Sequence, residues 1–191
     1  KSINENSTAI HTFTANESVT WSLNGGADAS KFSINSSTGA LTFSSAPDYE
    51  SPTDSDSGND YVVVVRATDS SSNTSDQTLT VSVSDVDEIS PTLSSSSPAD
   101  NATAVAVDSN IVLTFSEAVD VESGNILIKK SSDNSTVESI DVTSSQVTGS
   151  GSTQITINPS SDLDSSTQYY VQIPTTAFAD PSGNSYTGIS D

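Results

Sequence analysis

The sequence predicts an all-β chain folded as two tandem β-sandwiches. Three observations carry this. Apolar residues alternate with polar ones through short runs such as Leu79–Val83, Ile111–Phe115, Gln154–Asn158 and Tyr169–Ile173, and a period of two builds half-buried strands. No window of eleven residues holds a stripe of helical period. Ser and Thr make up about a third of the chain and Ser, Asn, Asp and Gly crowd between the runs, where they supply turns while Thr and Val favour strands.

Taken in order, the first set of strands is expected near Ala9–Thr14, Val19–Leu23, Phe32–Ile34, Ala40–Phe43, Tyr61–Ala67 and Gln77–Ser84. The second set is expected near Thr92–Ser96, Ile111–Phe115, Asn125–Lys129, Ser139–Ser144, Gln154–Ile157 and Tyr169–Ile173. Each set spans about 90 to 100 residues, the size of an immunoglobulin-like sandwich. The expected domains are therefore 1–88 and 89–191, arranged end to end, each with its own modest core. Between them stand only Ile89, Ser90 and Pro91, and proline fixes φ and stiffens the turn.

Composition excludes several classes of function. Lys and Arg number 5 against 25 Asp and Glu, a formal charge of −20. Nucleic acid and anionic membrane select basic surfaces, so neither is expected as a partner. Divalent cations are. There is no Cys and no Met, so disulfides cannot be the staples. No apolar run approaches the roughly 18 residues of a membrane span, so no membrane insertion is expected. Apolar residues are only 32%, and their regular alternation is what separates the chain from a disordered one.

The stretch Ser82–Pro91, SVSDVDEISP, places Asp85, Asp87 and Glu88 within four residues at the end of a strand. Carboxylates this close repel one another, so one of them should protonate or bind a cation. Calcium takes six to eight oxygens from carboxylates, carbonyls and water, more than this joint supplies. Glu5, just ahead of the first long strand run, is a candidate to contribute. So are Asp48 and Glu50, spaced by one residue so that both face the same way in extended chain.

At this point the first segment resembles the cadherin repeat in its bacterial versions. The matching residues are Glu5-Asn6, the stretch Trp21–Phe43 (WSLNGGADASKFSINSSTGALTF), Asp48-Tyr49-Glu50, Val65-Arg66-Ala67-Thr68-Asp69 and the terminal DVDEISP. The resemblance implies that Glu5, Asp48 and Glu50 hold Ca2+ at one end of the domain, joined by Asp85, Glu88 and the Val86 carbonyl. It implies that Asp87 stands where the family has an Asn that binds the outermost ion. It implies that Asp69 faces the opposite way, towards a preceding module. Two departures stand out. Asn16 and Glu17 occupy the place of an Asp-x-Asp pair, and Ile89 replaces an Asn.

The second segment resembles a bacterial immunoglobulin-like domain of the type found in surface-layer proteins and large repeats-in-toxin adhesins. The residues that carry this are Ser97–Asp120, Leu163–Ile173 and Phe178–Asp191. The family pattern has one more strand after the last motif, so that strand is expected to be missing here or supplied from elsewhere. If this sandwich hangs from the joint, the loops holding Ser116–Asp120 and Ala179–Asn184 lie at its near end. Glu117, Asp120, Asp180 and Asn184 are then candidates to complete the coordination sphere. Ordinary turn chemistry favours the same residues. A further acidic stretch, Thr53–Asp60, loosely echoes an Asp-x-Asp-x-Gly calcium loop in Asp54, Asp56, Gly58 and Asn59, but lacks the bidentate Glu. A solvated hairpin loop is the plainer reading.

An enzyme is not expected. The chain has a single histidine, His11, and no cysteine, and an exposed or edge-strand place suits His11 better than a catalytic one. The expected function is a calcium-rigidified extender of a large bacterial cell-surface adhesin, active in cell adhesion or biofilm formation. Its partners would be neighbouring repeats of the same polypeptide, with the terminal ligand, glycan or protein, bound by other modules. The place would be extracellular, since extracellular modules bind calcium with Kd of roughly 0.1 to 1 mM. The rival reading is a carbohydrate- or peptide-binding module, for which Trp21, Tyr49, Tyr61, Tyr169, Tyr170 and Tyr186 are the available aromatics. Of these, Trp21 is assigned to packing and Tyr49 is expected to point inward.

Overall fold

The computed structural model describes residues 1–190. The chain divides into two compact units, the first Lys1–Val86 and the second beginning at Asp87. Both are built from strands. Among the described residues no helix is long and apolar enough to cross a membrane.

The first unit holds β1 (Ser2–Asn4), β2 (Ala9–Thr12), β3 (Val19–Leu23), a single 3-10 turn (Ala29–Lys31), β4 (Phe32–Ile34), β5 (Ala40–Phe43), β6 (Asp60–Asp69) and β7 (Thr74–Ser84). One sheet runs β1-β7-β6-β3 and the other β2-β5-β4. Alternation does what the sequence requires of it. Tyr61, Val63 and Val65 of β6 and Val81 and Val83 of β7 point inward, and meet Ile10, Phe13, Phe32, Leu41 and Phe43 of the opposite sheet. Tyr61 lies at the centre of an aromatic cluster, edge-on to Phe43 at 4.9 Å and to Phe32 at 6.4 Å. Its hydroxyl accepts the Thr53 N–H at 3.1 Å, so the buried phenol is satisfied. All pairings are antiparallel except β1 with β7, which is parallel.

The second unit holds β8 (Leu93–Ser97), β9 (Ile111–Val121), β10 (Asn125–Lys130), β11 (Thr136–Asp141), β12 (Val147–Thr148), β13 (Ser152–Ile157), β14 (Tyr169–Gln172) and β15 (Phe178–Ala179). One sheet runs β11-β10-β14. The other runs β12-β13-β9-β15, with β8 also on β9. Leu113, Phe115, Val119, Ile126, Ile128, Ile140, Ile155, Ile157, Phe178 and Tyr186 form the core, with Phe115 edge-on to Tyr186 at 5.1 Å and near Phe178 at 5.5 Å.

Several strands differ from expectation for identifiable reasons. β9 does not stop at Phe115 but continues to Val121, so Glu117 and Asp120 lie in a strand and not in a loop. Its pairing with β13 slips in register along this stretch, with Ser152 opposite Val119 and Gln154 opposite Thr114, the mark of a bulge, which bends a strand and re-aims its side chains. β11 lies earlier than the expected Ser139–Ser144. It ends at Asp141, whose Oδ1 accepts both the N–H and the hydroxyl of Thr143 at 2.8 Å and closes a turn there. β2 ends at Thr12, short of the expected Thr14. β6 and β7 run on to meet in a hairpin because Asp69 closes it: its Oδ1 accepts the Ser71 and Asn73 N–H groups at 2.8 Å, and its Oδ2 the Asn73 amide at 2.7 Å. β1, β12 and β15, of two or three residues each, are too short to show a period.

Candidate metal centres

In the first unit, Glu5 is 4% exposed, unusual for a carboxylate. The chain turns at Asn6, which sits at φ 59°, and carries Glu5 inward between two segments. Its Oε1 accepts the Val86 N–H at 2.8 Å and its Oε2 the Tyr49 N–H at 2.7 Å. The Glu5 N–H in turn donates to the Ser84 carbonyl, and the Asn6 N–H to the Pro47 carbonyl, both at 3.0 Å. One buried carboxylate thus ties the first segment, the Asp48–Glu50 segment and the end of β7 together. Oxygens of Glu5, Asp48 and Glu50 lie within 4.8 Å of one another.

The Thr53–Asp60 loop braces this group from the side. The Asn59 amide donates to the Tyr49 carbonyl at 2.9 Å, while its Oδ1 is buried without a hydrogen-bond partner. Such an oxygen is an exception that needs a reason. The loop is more than a solvated hairpin, because Asp54 is buried and accepts the Gly58 N–H at 2.9 Å. Burial pushes the Asp54 carboxyl up, but that bond, the Asp56 side chain and the Asn59 N–H outweigh it and hold Asp54 below its ordinary value. Asp28, which the sequence reading passed over, is 2% exposed and pins the loop by accepting from Ser55 at 2.6 Å and Val62 at 2.8 Å. A lone Asp in a Gly-Ala-Asp-Ala stretch carries no sequence signal for this role.

In the second unit, oxygens of Asp87, Glu117 and Asp180 lie within 4.8 Å of one another. The β9 bulge presents Glu117. The turn after β15 presents Asp180, which is 3% exposed. Asn184 organises the group: its N–H donates to Asp180 Oδ1 at 2.8 Å, and its side-chain amide to Asp180 Oδ2 at 2.9 Å and to the Asp87 carbonyl at 2.7 Å. Burial pushes the Asp180 carboxyl up, but the Asn184 side chain and the Asn184, Ser182 and Gly183 N–H groups hold it below its ordinary value. Glu117 goes the other way. Partial burial raises it first, and the negative charges of Asp87 and Asp180 raise it further. A cation beside Glu117 would offset the negative charges that oppose its ionisation.

Of the residues singled out in the sequence, Glu5, Asp48 and Glu50 come together, as do Asp87, Glu117 and Asp180. Asp85 and Glu88 belong to neither group, and of Val86 it is the N–H that is engaged. Asp120 accepts the Ser150 hydroxyl at 3.2 Å instead. Asp69 sits at the opposite end of β6 from Asp60, about 30 Å away at some 3.4 Å per residue, with its oxygens committed to the hairpin. His11 is exposed on β2, an edge strand. Tyr49 does not point inward: it is 37% exposed, because Glu5 takes its N–H and Asn59 its carbonyl, which leaves the ring outside. Trp21 is half-buried against Phe13 at a centroid distance of 5.6 Å.

Both groups offer carboxylate oxygen only, the chemistry of a hard cation such as calcium and unlike the His and Cys sets that select softer metals. The donor sets therefore fit a bound Ca2+.

The family comparison decides the identity of the chain: the model of the bacterial Ig-like domain matches residues 87–191, and that of the cadherin domain matches residues 5–84. The chain belongs to the bacterial Ig-like domain family, with a cadherin domain ahead of it. Domains of these two kinds are extracellular adhesion-type repeats, built for structure or adhesion and not for catalysis, and cadherin domains generally bind Ca2+ at inter-domain linkers. No curated protein matches the chain. Among solved structures it is similar to protocadherin gamma B2 extracellular cadherin domains 3–6 (15% identity, 85% of this chain and 37% of that one, TM-score 0.39). It is similar also to the protocadherin gammaB7 EC3–6 cis-dimer structure (19% identity, 80% and 42%, TM-score 0.36) and to mouse protocadherin-24 EC1–3 (16% identity, 93% and 56%, TM-score 0.36). The cadherin and Ig-like chain spans less than two thirds of the length of each of these.

Proposed function

We propose that this cadherin and Ig-like chain is a calcium-stiffened spacer from a large bacterial surface adhesin of the repeats-in-toxin kind, serving cell adhesion or biofilm formation outside the cell. The observation that carries the reading is the pairing of two three-carboxylate groups with two consecutive residues. Val86 is held by Glu5 of the first group, and Asp87 belongs to the second. Glu5, Asp48 and Glu50 would hold one ion, and Asp87, Glu117 and Asp180 another. A bound dication cancels the repulsion within each group and fixes the backbone that leads into it. An ion that binds only the ordered state adds RT ln(1 + [L]/Kd) to its stability, about 2.7 kcal/mol at a hundredfold excess over Kd. Binding at roughly 0.1 to 1 mM, usual for extracellular modules, would leave the segment loose in the cell and firm after export. Its partners would be neighbouring repeats of the same polypeptide, with the glycan or protein ligand taken by other modules. The rival reading, a sugar- or peptide-binding module, finds little support in the aromatics: Tyr61 and Tyr186 are buried and Trp21 packs on Phe13.

Calorimetric titration of calcium into the metal-free chain tests the reading. Wild-type heat should divide into two parts, one lost in Glu50→Gln and the other in Glu117→Gln. Absence of calcium heat from the wild-type chain would overturn it.

A further inference from the structure

We infer that Asn24 is a site of spontaneous deamidation that converts a hydrogen-bonded amide into a carboxylate facing Asp76. The chain contains a single Asn-Gly pair, Asn24-Gly25, and it lies in the first unit. It forms a bulge past the end of β3. The Asn24 N–H donates to the Val64 carbonyl and the Val64 N–H to the Gly25 carbonyl, both at 2.8 Å, so two residues oppose one. Both are exposed. Among the described residues the Gly25 N–H has no hydrogen-bond acceptor. Nothing lies within 4 Å of the place a Gly25 Cβ would take, so approach to that nitrogen is open.

The reaction needs no partner but water. The Gly25 backbone nitrogen attacks the Asn24 side-chain carbonyl carbon, forming a C–N bond and a five-membered succinimide. The C–NH2 bond breaks, and the amide nitrogen leaves as ammonia with the proton that Gly25 gives up. Water then adds to one of the two ring carbonyls and cleaves its bond to the ring nitrogen. The product is aspartate, or isoaspartate when the backbone has moved to the side-chain carbon.

The surroundings make the change consequential. The Asn24 amide donates to Asp76 Oδ2 at 3.1 Å, and Asp76 is gripped by Arg66, Nε to Oδ1 and Nη2 to Oδ2, both at 2.7 Å. Deamidation removes that donor and sets a second negative charge against the Asp76 oxygens. Isoaspartate also lengthens the backbone between the two bonds that hold the bulge to Val64.

Ageing the full chain in mildly alkaline buffer, followed by tryptic peptide mapping with mass spectrometry, tests this. The peptide that ends at Lys31 should gain the mass of one deamidation at Asn24 several times faster than Asn35-Ser36 or Asn134-Ser135 gain it, both also exposed. Conversion at Asn24 no faster than at those two sites would overturn the proposal. Asn24→Asp, made directly, should unfold at lower denaturant than Asn24→Gln. Equal midpoints would overturn the claim that the new charge matters to β3, β6 and β7.

Discussion

Asn184 donates its side-chain amide to the Asp87 carbonyl at 2.7 Å, across 97 residues of sequence. The same amide reaches Asp180 Oδ2, and the Asn184 N–H reaches Asp180 Oδ1. One asparagine therefore fixes both the entry of the chain into the second unit and the buried acid beside it. Asn184→Ala should cost the second unit about 1.5–3 kcal/mol, the range for losing a hydrogen bond to a charged group. Urea unfolding of the variant measures it. Asn184→Asp should be worse in metal-free buffer, because it faces a carbonyl and a carboxylate with a further negative charge, and calcium should narrow the gap between the two variants.

Glu5 carries a second prediction. Each of its oxygens accepts one backbone N–H. In Glu5→Gln one of those N–H groups meets an NH2 group, two donors facing each other in a buried place. The loss should be about 2–3 kcal/mol from the first unit, as for a hydrogen bond to a charged group. Amide hydrogen exchange should speed up selectively at Tyr49 and Val86. Unchanged exchange at both positions would contradict the geometry.

The third prediction concerns pH. Burial pushes the Glu138 carboxyl up, but the Gln146 amide at 2.8 Å and the Ser160 N–H at 3.0 Å outweigh it and hold Glu138 below its ordinary 4.5. A carboxyl depressed in the folded state adds stability that is present above its unfolded value and lost as pH falls through its folded value. The second unit should therefore weaken as pH drops below about 4.5. Glu138→Gln should flatten that part of the acid-unfolding curve, followed by circular dichroism.

The fourth concerns packing. Phe178 is fully buried and meets Phe115 at 5.5 Å. Phe178→Ala should cost about 3–5 kcal/mol, a large share of the roughly 5–15 kcal/mol that holds an ordinary domain folded. Thermal unfolding should show the second unit's transition lowered or lost.

Much of this was legible in the sequence, for a physical reason. Strands with a buried face must alternate, so Val19–Leu23, Phe32–Ile34 and Ala40–Phe43 could be placed to the residue. Where alternation fails, so did the reading. The β9 bulge interrupts the period at the point where Glu117 is re-aimed, and the expected loop Ser116–Asp120 is strand. Two-residue β12 and β15 carry no period at all. The acids of Asp48-Tyr49-Glu50 announced themselves by spacing, and Tyr49 did not, because its exposure is set by Glu5 and Asn59 from distant parts of the chain. Asp28 and Asn59 were hidden for the same reason: each acts on backbone groups that only folding brings near. Asp85 stood in the acidic stretch beside Asp87, yet lies outside both acidic groups; closeness in sequence says nothing of which oxygens converge.

The parallel pairing of β1 with β7 has a mechanical consequence. Ser2, Ile3 and Asn4 lie beside Ser82, Val83 and Ser84 and run in the same direction. Tension entering at Lys1 and leaving beyond Ser84 pulls the two strands lengthwise in opposite senses. The rungs between them are then strained together and not unzipped one at a time, and the Lys1–Thr80, Ser82–Lys1 and Glu5–Ser84 bonds share the load. A domain wired in this way resists stretching most strongly along the line on which a tether is pulled.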